Sequence, residues 1–411
     1  MDELAEILLE RARALDRSVL DSEPRVCARC LGRFVAKAGM GFSNTDRGTA
    51  VASIIGYTPE NEARCPICKG TFLRLEAFAE LCAKAAEPWN SKTFLVGSRF
   101  GPEGCEVEER LWGELKTDAH EPIKSEFNRE LGKLLSVKMG KEPDFEHPDI
   151  TLVVDTQYDV VDVQVAPLFV RGRYRKLARG IPQTRWPCKP CRGTGCERCN
   201  GTGKMYQTSV EEIIAGPVME QTGGSEHFFH GMGREDVDAL MLGDGRPFVL
   251  EIRAPRARTV VFDEVERKVN GSGQGVEVSE LREAIGSDVA ALKEARGDKI
   301  YRVSVTFERL VDEAKLNEVV ALLRGCEIVQ RTPSRVSHRR ADRHRRRVVK
   351  DARVESWSTG EAVLSITAET GTYIKELVHG DQGRTRPSVA ELLGVACAVK
   401  SLEVMDTGTE G

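Results

Sequence analysis

The chain has 411 residues, of which 30% are charged and 6% aromatic, and a formal net charge of −4. At roughly 100–200 residues per domain this length accommodates two or three domains with ample core, and the slight acidic excess excludes a global basic field, so a nucleic-acid partner has to be held by local patches. No apolar run reaches the ~18 residues that span a bilayer, and the opening MDELAEILLERARAL spaces its leucines as an amphipathic surface helix does, against a secretory leader; a cytoplasmic protein is expected.

Cysteines supply the first feature in chain order. Twelve of them in a cytoplasmic chain argue against a disulfide framework. Cys27-x-x-Cys30 and Cys65-x-x-Cys68 form two knuckles, each aiming two sulfurs at one point, and four thiolates close a tetrahedral, structural zinc site. Reduced, partly buried thiols are the alternative, disfavoured by the two matched pairs.

Residues 121–140, EPIKSEFNRELGKLLSVKMG, place Ile123, Phe127, Leu131, Leu134 and Leu135 at spacings of three and four, which predicts a helix with one apolar face. Ile150–Asp155 and Val160–Val165 follow as β-branched strands joined by a short polar turn. The next run, RGRYRKLARGIPQTRW, carries Arg171, Arg173, Arg175, Lys176, Arg179 and Arg185 with no acid among them, and interleaves Tyr174 and Trp186. Such a run suits a phosphate backbone and a stacked base. From charge alone a solvated surface is an equal alternative.

A second quartet, Cys188-x-x-Cys191 and Cys196-x-x-Cys199, lies in the compact CKPCRGTGCERCNGTG. Its glycines let the backbone fold tightly around one metal; a metal-free relic of a zinc hairpin is the alternative. The repeat C-x-x-C-x-G-x-G resembles the zinc domain of DnaJ-type chaperones, and His147-Pro148-Asp149 spells their J-domain tripeptide. Here the tripeptide leads into a strand and only two knuckles follow, so that reading fails. HPDITLVVD and VDVQVAPLFVRGRY, with the helix before them, resemble instead a THUMP domain, the RNA-binding module of several tRNA-modifying enzymes. Neither the Asp/Asn-Pro-Pro-aromatic motif of base methyltransferases nor the S-G-G-x-D-S loop of thiolation enzymes occurs. Cys82, Cys105, Cys326 and Cys397 read as small buried hydrophobes.

The C-terminal half holds GMGREDVDALMLGDGRPFVLEIR, residues 231–253. Glycines flank a loop that feeds an apolar strand and can fix an ionised Asp236 in place, the usual presentation of a nucleophile. Alone, G-R-x-D would read as a solvated acidic turn. Lys299–Phe307 alternates, with Tyr301, Val303, Val305 and Phe307 on one face, so Tyr301 is expected at the core edge, by itself a packing residue. Residues 362–367 read as a strand, followed by GTYIKELV, which combines Tyr373 with Lys375, and by HGDQGRTRPS. Between these, in residues 331–350, Arg339, Arg343, Arg346 and Arg347 fall near one face of an expected helix, with only Asp342 interrupting the positive run. Phosphate contact is the expected role, a solvated helix the alternative.

G-R-E-D, a K-x-Y that opens a strand and G-T-Y-I-K-E-L-V together resemble the ordered motifs of pseudouridine synthases. The fuller runs IPQTRWPC, GREDVDALMLGDGRPFVLEI, QRTPSRVSHRRADRHRRR and GTYIKELVHGDQGRTRPS are similar to the archaeal tRNA pseudouridine synthases of the Pus-ten family, which act on the TΨC arm. With the zinc and THUMP regions the likeness covers nearly the whole chain. The resemblance implies Asp236 as nucleophile, Tyr301 against the target base, Tyr373 as a second aromatic contact and Lys375 as the cation paired with the aspartate. It also implies Leu377 as the apolar group under the uracil and Arg234 as a holder of the loop and the flipped nucleotide.

The activity implied is isomerisation of uridine 55, and with it uridine 54, in the TΨC loop. Such a reaction breaks a carbon–nitrogen bond, turns the base and rejoins it through carbon, so no nucleotide or redox cofactor is needed. The base must be everted, and aromatic and apolar walls replace its lost stacking. The partner is tRNA, with no membrane, and a monomer is expected. The expected architecture is α+β: an N-terminal helix and four-cysteine zinc module over 1–88, a THUMP-like RNA-binding module over 89–170, and a pseudouridine synthase catalytic domain over 171–411. The last is built on a mixed, mainly antiparallel sheet with a Cys-rich insertion at 186–204 and the basic segment 331–350. A non-catalytic zinc and THUMP tRNA-binding chaperone with the same basic surfaces is the alternative.

Overall fold

The computed structural model describes residues 3–22, 25–37, 41–337 and 341–408. Two compact units divide the chain, Met1–Ala166 and Pro167–Gly411. In the first, strands β1 (Thr93–Arg99), β2 (Glu142–Pro143), β3 (Ile150–Asp155) and β4 (Val160–Val165) form a sheet in the order β2-β1-β3-β4. β1 runs parallel to β2 and β3, while β3 and β4 make an antiparallel hairpin. Parallel pairing of β1 with β3 needs a crossover, which the helices Pro102–Leu115 and Ile123–Met139 provide.

On the second of these helices Ile123, Phe127, Leu131 and Leu135 are buried, as their spacing demands. Phe127 meets Phe72, Phe78 and Phe100 edge-on. Cys27, Cys30, Cys65 and Cys68 lie in the same apolar cluster as Phe127 and Leu152. Residues 1–88 and 89–166 therefore share one interior.

The second unit is a sheet of ten strands. These are β5 (Leu168–Lys176), β6 (Glu226–Gly231), β7 (Leu240–Arg253), β8 (Val276–Ala284), β9 (Lys299–Phe307), β10 (Cys326–Arg331), β11 (His344–Trp357), β12 (Glu361–Ala368), β13 (Thr385–Arg386) and β14 (Cys397–Asp406). The order is β13-β10-β11-β12-β9-β14-β7-β5-β8, with β6 paired to β7 off that path. Only β14 and β7 pair in parallel, through Glu403 with Leu240 and Val404 with Met241; the other pairings are antiparallel, as expected. Val303 and Val305 of β9, Leu364 and Ile366 of β12 and Leu250 and Ile252 of β7 are fully buried. Each contributes about 1.5–3 kcal/mol of apolar burial. Gly243 permits β7 to pass against β14: its φ is 57°, and a Cβ would sit 1.8 Å from the Met405 carbonyl oxygen.

Two expectations are corrected. RGRYRK is not a free basic run; it is β5, hydrogen-bonded between β7 and β8. Arg173 is buried and donates to the carbonyls of Asp244 (2.8 Å) and Gly245 (3.1 Å), while Lys176 is buried altogether. Arg171 pairs with Asp288 at 3.1 Å and Arg175 with Glu277. Those acids lie 117 and 102 residues downstream, so a count of local charge could not see them. The basic segment, likewise, forms no α-helix among its described residues. Irregular residues 341–343 lead into β11, whose alternation sends Arg346 and Arg347 to opposite faces. Arg346 pairs with Glu327 at 2.9 Å, Arg343 is exposed ahead of the strand, and Arg339 lies outside the described residues.

Candidate active site

The loop between β6 and β7, residues 232–239, carries G-R-E-D. Gly233 adopts φ +77°, and a Cβ there would come within 2.8 Å of Lys299 Nζ and 3.2 Å of Arg246 Nη1, so glycine lets the backbone cross these two side chains. Buried side chains hold the loop from beneath. Lys176 Nζ donates to the carbonyls of Asp236 (3.1 Å), Val237 (3.2 Å) and Ile181 (2.8 Å). Gln183 Nε2 donates to the Gly233 carbonyl at 3.0 Å and Arg246 Nη1 to that of Met232 at 2.6 Å.

Glu235 turns inward. It accepts from the Tyr174 hydroxyl at 2.8 Å and pairs with Arg246 Nε at 3.0 Å, with no side-chain exposure. Burial pushes the Tyr174 phenol well above its ordinary range, Glu235 adding to the effect, and burial also lowers Lys176. With Glu235 pinned on the inner side, the next side chain, Asp236, faces outward and stays 30% exposed.

Asp236 opens onto a cleft of about 760 Å³, whose walls also include Arg234, Tyr301, Tyr373 and Lys375. Tyr301 is 8% exposed on β9, and burial pushes its phenol up to about 12. Tyr373 precedes the helix Ile374–His379 and is fixed through its backbone: its N–H donates to Gln330 Oε1 (2.8 Å), and Gln330 Nε2 donates to its carbonyl (2.9 Å). The Arg234 guanidinium lies 5.0 Å from the centre of the Trp186 ring. Leu377 does not reach the cleft. It is wholly buried in the core, and Ile374, Val336, Leu402 and Val404 form the apolar wall instead.

Two cations hold the Asp236 carboxylate. Arg335 Nη1 donates to Oδ1 at 3.0 Å, and Lys375 Nζ stands 3.4 Å from Oδ2. Lys375 also donates to both oxygens of Asp238 (2.8 and 2.7 Å), and Arg335 Nε donates to Glu376 Oε1 (2.7 Å), a side chain 2% exposed. Acid and base thus alternate from Asp238 through Lys375, Asp236 and Arg335 to Glu376. Burial works against the Arg335 charge, but the hydrogen bond and charge of Glu376, with Asp236, outweigh it and raise the guanidinium above its ordinary value. Burial likewise works against the Asp238 charge, and Lys375 outweighs it, so that carboxyl is lowered.

Sequence reasoning missed Arg335, which meets Asp236 across 99 residues with no local pattern to join them. It also missed Glu235 and Arg246, whose roles depend on which way a loop side chain turns, and Lys299, visible only as the first residue of K-x-Y. Lys299 lines the cleft at 6% exposure; burial first, then Arg246, push its amine down to about 7 against the pull of Glu235.

Both cysteine quartets have the form of a metal site. In the first, Sγ–Sγ distances are 3.7 Å for Cys27–Cys68 and 3.5 Å for Cys30–Cys65. In the second they are 3.8 Å for Cys188–Cys196, 3.9 Å for Cys191–Cys199 and 3.7 Å for Cys196–Cys199. A tetrahedral zinc with ~2.3 Å bonds separates its sulfurs by about 3.8 Å. Backbone N–H groups point at the sulfurs, Cys27 to Cys65 (3.4 Å), Gly195 to Cys191 (3.3 Å), and Cys196 and Gly203 to Cys199 (each 3.2 Å), which favours thiolates. The donor sets fit zinc. Cys82 and Cys397 are buried as expected, whereas Cys105 and Cys326 are half-buried.

Residues 169–408 match the model of the Pus10 C-terminal domain, and residues 78–155 that of the archaeal Pus10 THUMP domain. The chain is 40% identical over 418 residues to the tRNA pseudouridine synthase Pus10 of Methanothrix thermoacetophila, covering 93% of this chain and 92% of that protein. It is 44% identical over 395 residues to the tRNA pseudouridine synthase Pus10 of Halorubrum lacusprofundi, covering 92% of each. Among solved structures, the crystal structure of a Cbf5-Nop10-Gar1 complex aligns with 49% of this chain and 46% of that one, at 17% identity and a TM-score of 0.32. Among the described residues no helix is long and apolar enough to cross a membrane.

Proposed function

The chain belongs to the Pus10 family, whose relatives over 92–93% of its length are tRNA pseudouridine synthases, and from that premise we propose that Asp236 is the nucleophile that isomerises uridine 55, and with it uridine 54, in the TΨC loop. The protein is an isomerase acting on tRNA. One observation carries the residue assignment: the outward Asp236 carboxylate, held between Arg335 and Lys375, in a cleft walled by two tyrosines. Its volume lies within the roughly 300–1,000 Å³ typical of pockets that enclose a small ligand.

An everted uridine loses its stacking partners, and Tyr301, Tyr373 and the apolar wall replace them. The Asp236 carboxylate attacks C1′ of the ribose, and the bond from C1′ to N1 breaks, leaving the uracil as an anion that the cationic walls of the cleft stabilise. The base turns, C5 attacks C1′, and the carboxylate departs. No group is gained or lost. Arg335 and Lys375 position the carboxylate on both oxygens; Arg234, Arg345 and Arg347, all lining the cleft, are suited to the phosphates that flank the flipped nucleotide.

The THUMP-matching residues 78–155 supply a further RNA contact in this reading, and the protein acts as a cytoplasmic monomer. Zinc held by Cys27, Cys30, Cys65 and Cys68, and by Cys188, Cys191, Cys196 and Cys199, is structural: no cysteine lines the cleft. The test is to incubate the purified protein with an unmodified tRNA transcript and no additives, then map pseudouridine chemically. Product should appear at 55 and 54 and vanish individually from transcripts with cytidine there. A protein that binds the transcript and forms no pseudouridine is the chaperone alternative, and the proposal fails.

A further inference from the structure

Two lysines are buried beside the catalytic loop, and they differ in one respect. Lys176 Nζ is satisfied by three carbonyl oxygens. Lys299 Nζ, less deeply placed, has no hydrogen bond and no ion pair among the described residues and lines the cleft on the strand that bears Tyr301. Partial burial without an ionic partner disfavours the charged form of an amine. The charged groups around it add to that effect. Arg246 on β7 repels it, Arg345 and Arg347 on β11 line the same cleft, and the attraction of Glu235 is largely taken by Arg246 at 3.0 Å.

The last step of the reaction needs a proton acceptor at C5. Once C5 has attacked C1′, C5 carries both the new ribosyl bond and its original hydrogen, and the ring holds an N1=C6 double bond. We infer that Lys299, which faces the cleft, is the catalytic residue that removes this C5 proton and returns it to N1. The C5–H electron pair re-forms C5=C6, the N1=C6 pair moves onto N1, and N1 takes the proton from the ammonium, so the amine is regenerated and charge balances. With its amine pushed down to about 7, Lys299 can both accept and release a proton near neutral pH. Lys375 is already engaged by Asp238 and Asp236.

The assignment rests on the proposed reaction, and its test separates the two. Single-turnover reactions use transcripts with ordinary uridine, with deuterium at C5 and with 5-fluorouridine, on the wild type, Lys299→Met and Asp236→Asn. Fluorine at C5 stops the reaction after rejoining, so 5-fluorouridine reports the early steps alone. Lys299→Met should slow pseudouridine formation about 10²-fold, develop a primary deuterium isotope effect, lose the rise of rate with pH through about 7, and rearrange 5-fluorouridine at the wild-type rate. Asp236→Asn should not rearrange 5-fluorouridine; if it does so normally, the nucleophile assignment falls and the Lys299 step is read from the isotope effect alone. Lys299→Met replaces a buried chain with an apolar one of similar length, and unchanged tRNA affinity confirms that it has folded. No isotope effect in Lys299→Met, or equal slowing of the 5-fluorouridine reaction, overturns the inference.

Discussion

Replacing Arg335 by methionine isolates the orientation of Asp236 from its chemistry. Of the two cations on that carboxylate, Lys375 is the more distant, at 3.4 Å, and is drawn more closely to Asp238 at 2.7 and 2.8 Å. Without the 3.0 Å bond from Arg335, little holds Asp236 in one rotamer. The pair is about a third exposed, so its orienting energy is discounted to about 1 kcal/mol, a factor of roughly five in the competent population. Displacement of the attacking oxygen by ~1 Å costs up to about 10²-fold more. Single-turnover kcat, with enzyme in excess over transcript, should therefore fall about 10- to 100-fold while tRNA affinity changes by less than about threefold. Glu376, 2% exposed, loses its 2.7 Å partner and destabilises the fold by about 1–3 kcal/mol. Adding Glu376→Gln should recover much of that stability without recovering kcat. A single-variant kcat within about twofold of wild type would refute the reasoning.

Stability should also respond to pH through Lys299. Its amine is near 7 when folded against an ordinary 10.5, so between those values the unfolded chain binds a proton that the folded one does not, and stability rises with pH from about 7 to about 10. Urea unfolding of the wild type across that range should show the rise, and Lys299→Met should remove it. Metal analysis should find two zinc ions per chain, reduced to one by Cys65→Ser together with a lower Tm for the first unit; an unchanged count contradicts the four-sulfur site. Changing Arg345 and Arg347 together to glutamine should flatten the slope of log affinity against log salt by about 1.5, the release of two phosphate contacts. An unaltered slope removes both from the RNA surface.

What was legible in the sequence followed local physical rules. The helix Ile123–Met139 and strands β3 and β4 arise where apolar side chains repeat at the period of their element, and K-x-Y placed Tyr301 on an alternating strand. Cysteine spacing gave both quartets, because a C-x-x-C turn closes locally. The misreadings came from groups whose partners are distant. Arg173 and Lys176 look like an RNA contact until the backbone carbonyls of residues 236, 237, 244 and 245 fold over them. The segment 331–350 reads as a charged helix because its arginines mask the start of a strand, β11, that β10 and β12 pair from either side. Leu377 shares a motif with Tyr373 and Lys375, yet its side chain is wholly buried in the core while theirs line the cleft. Arg335 and Lys299 acquire their meaning only from what lies across the cleft, which a linear pattern does not record.

The most direct test of the account is Asp236→Asn in a single-turnover reaction with unmodified tRNA, because this change keeps the size of the side chain and its contact with Arg335 while removing the nucleophilic charge. No pseudouridine should form, and the variant should bind tRNA within about threefold of the wild-type affinity. Pseudouridine produced at the wild-type rate would contradict the central claim.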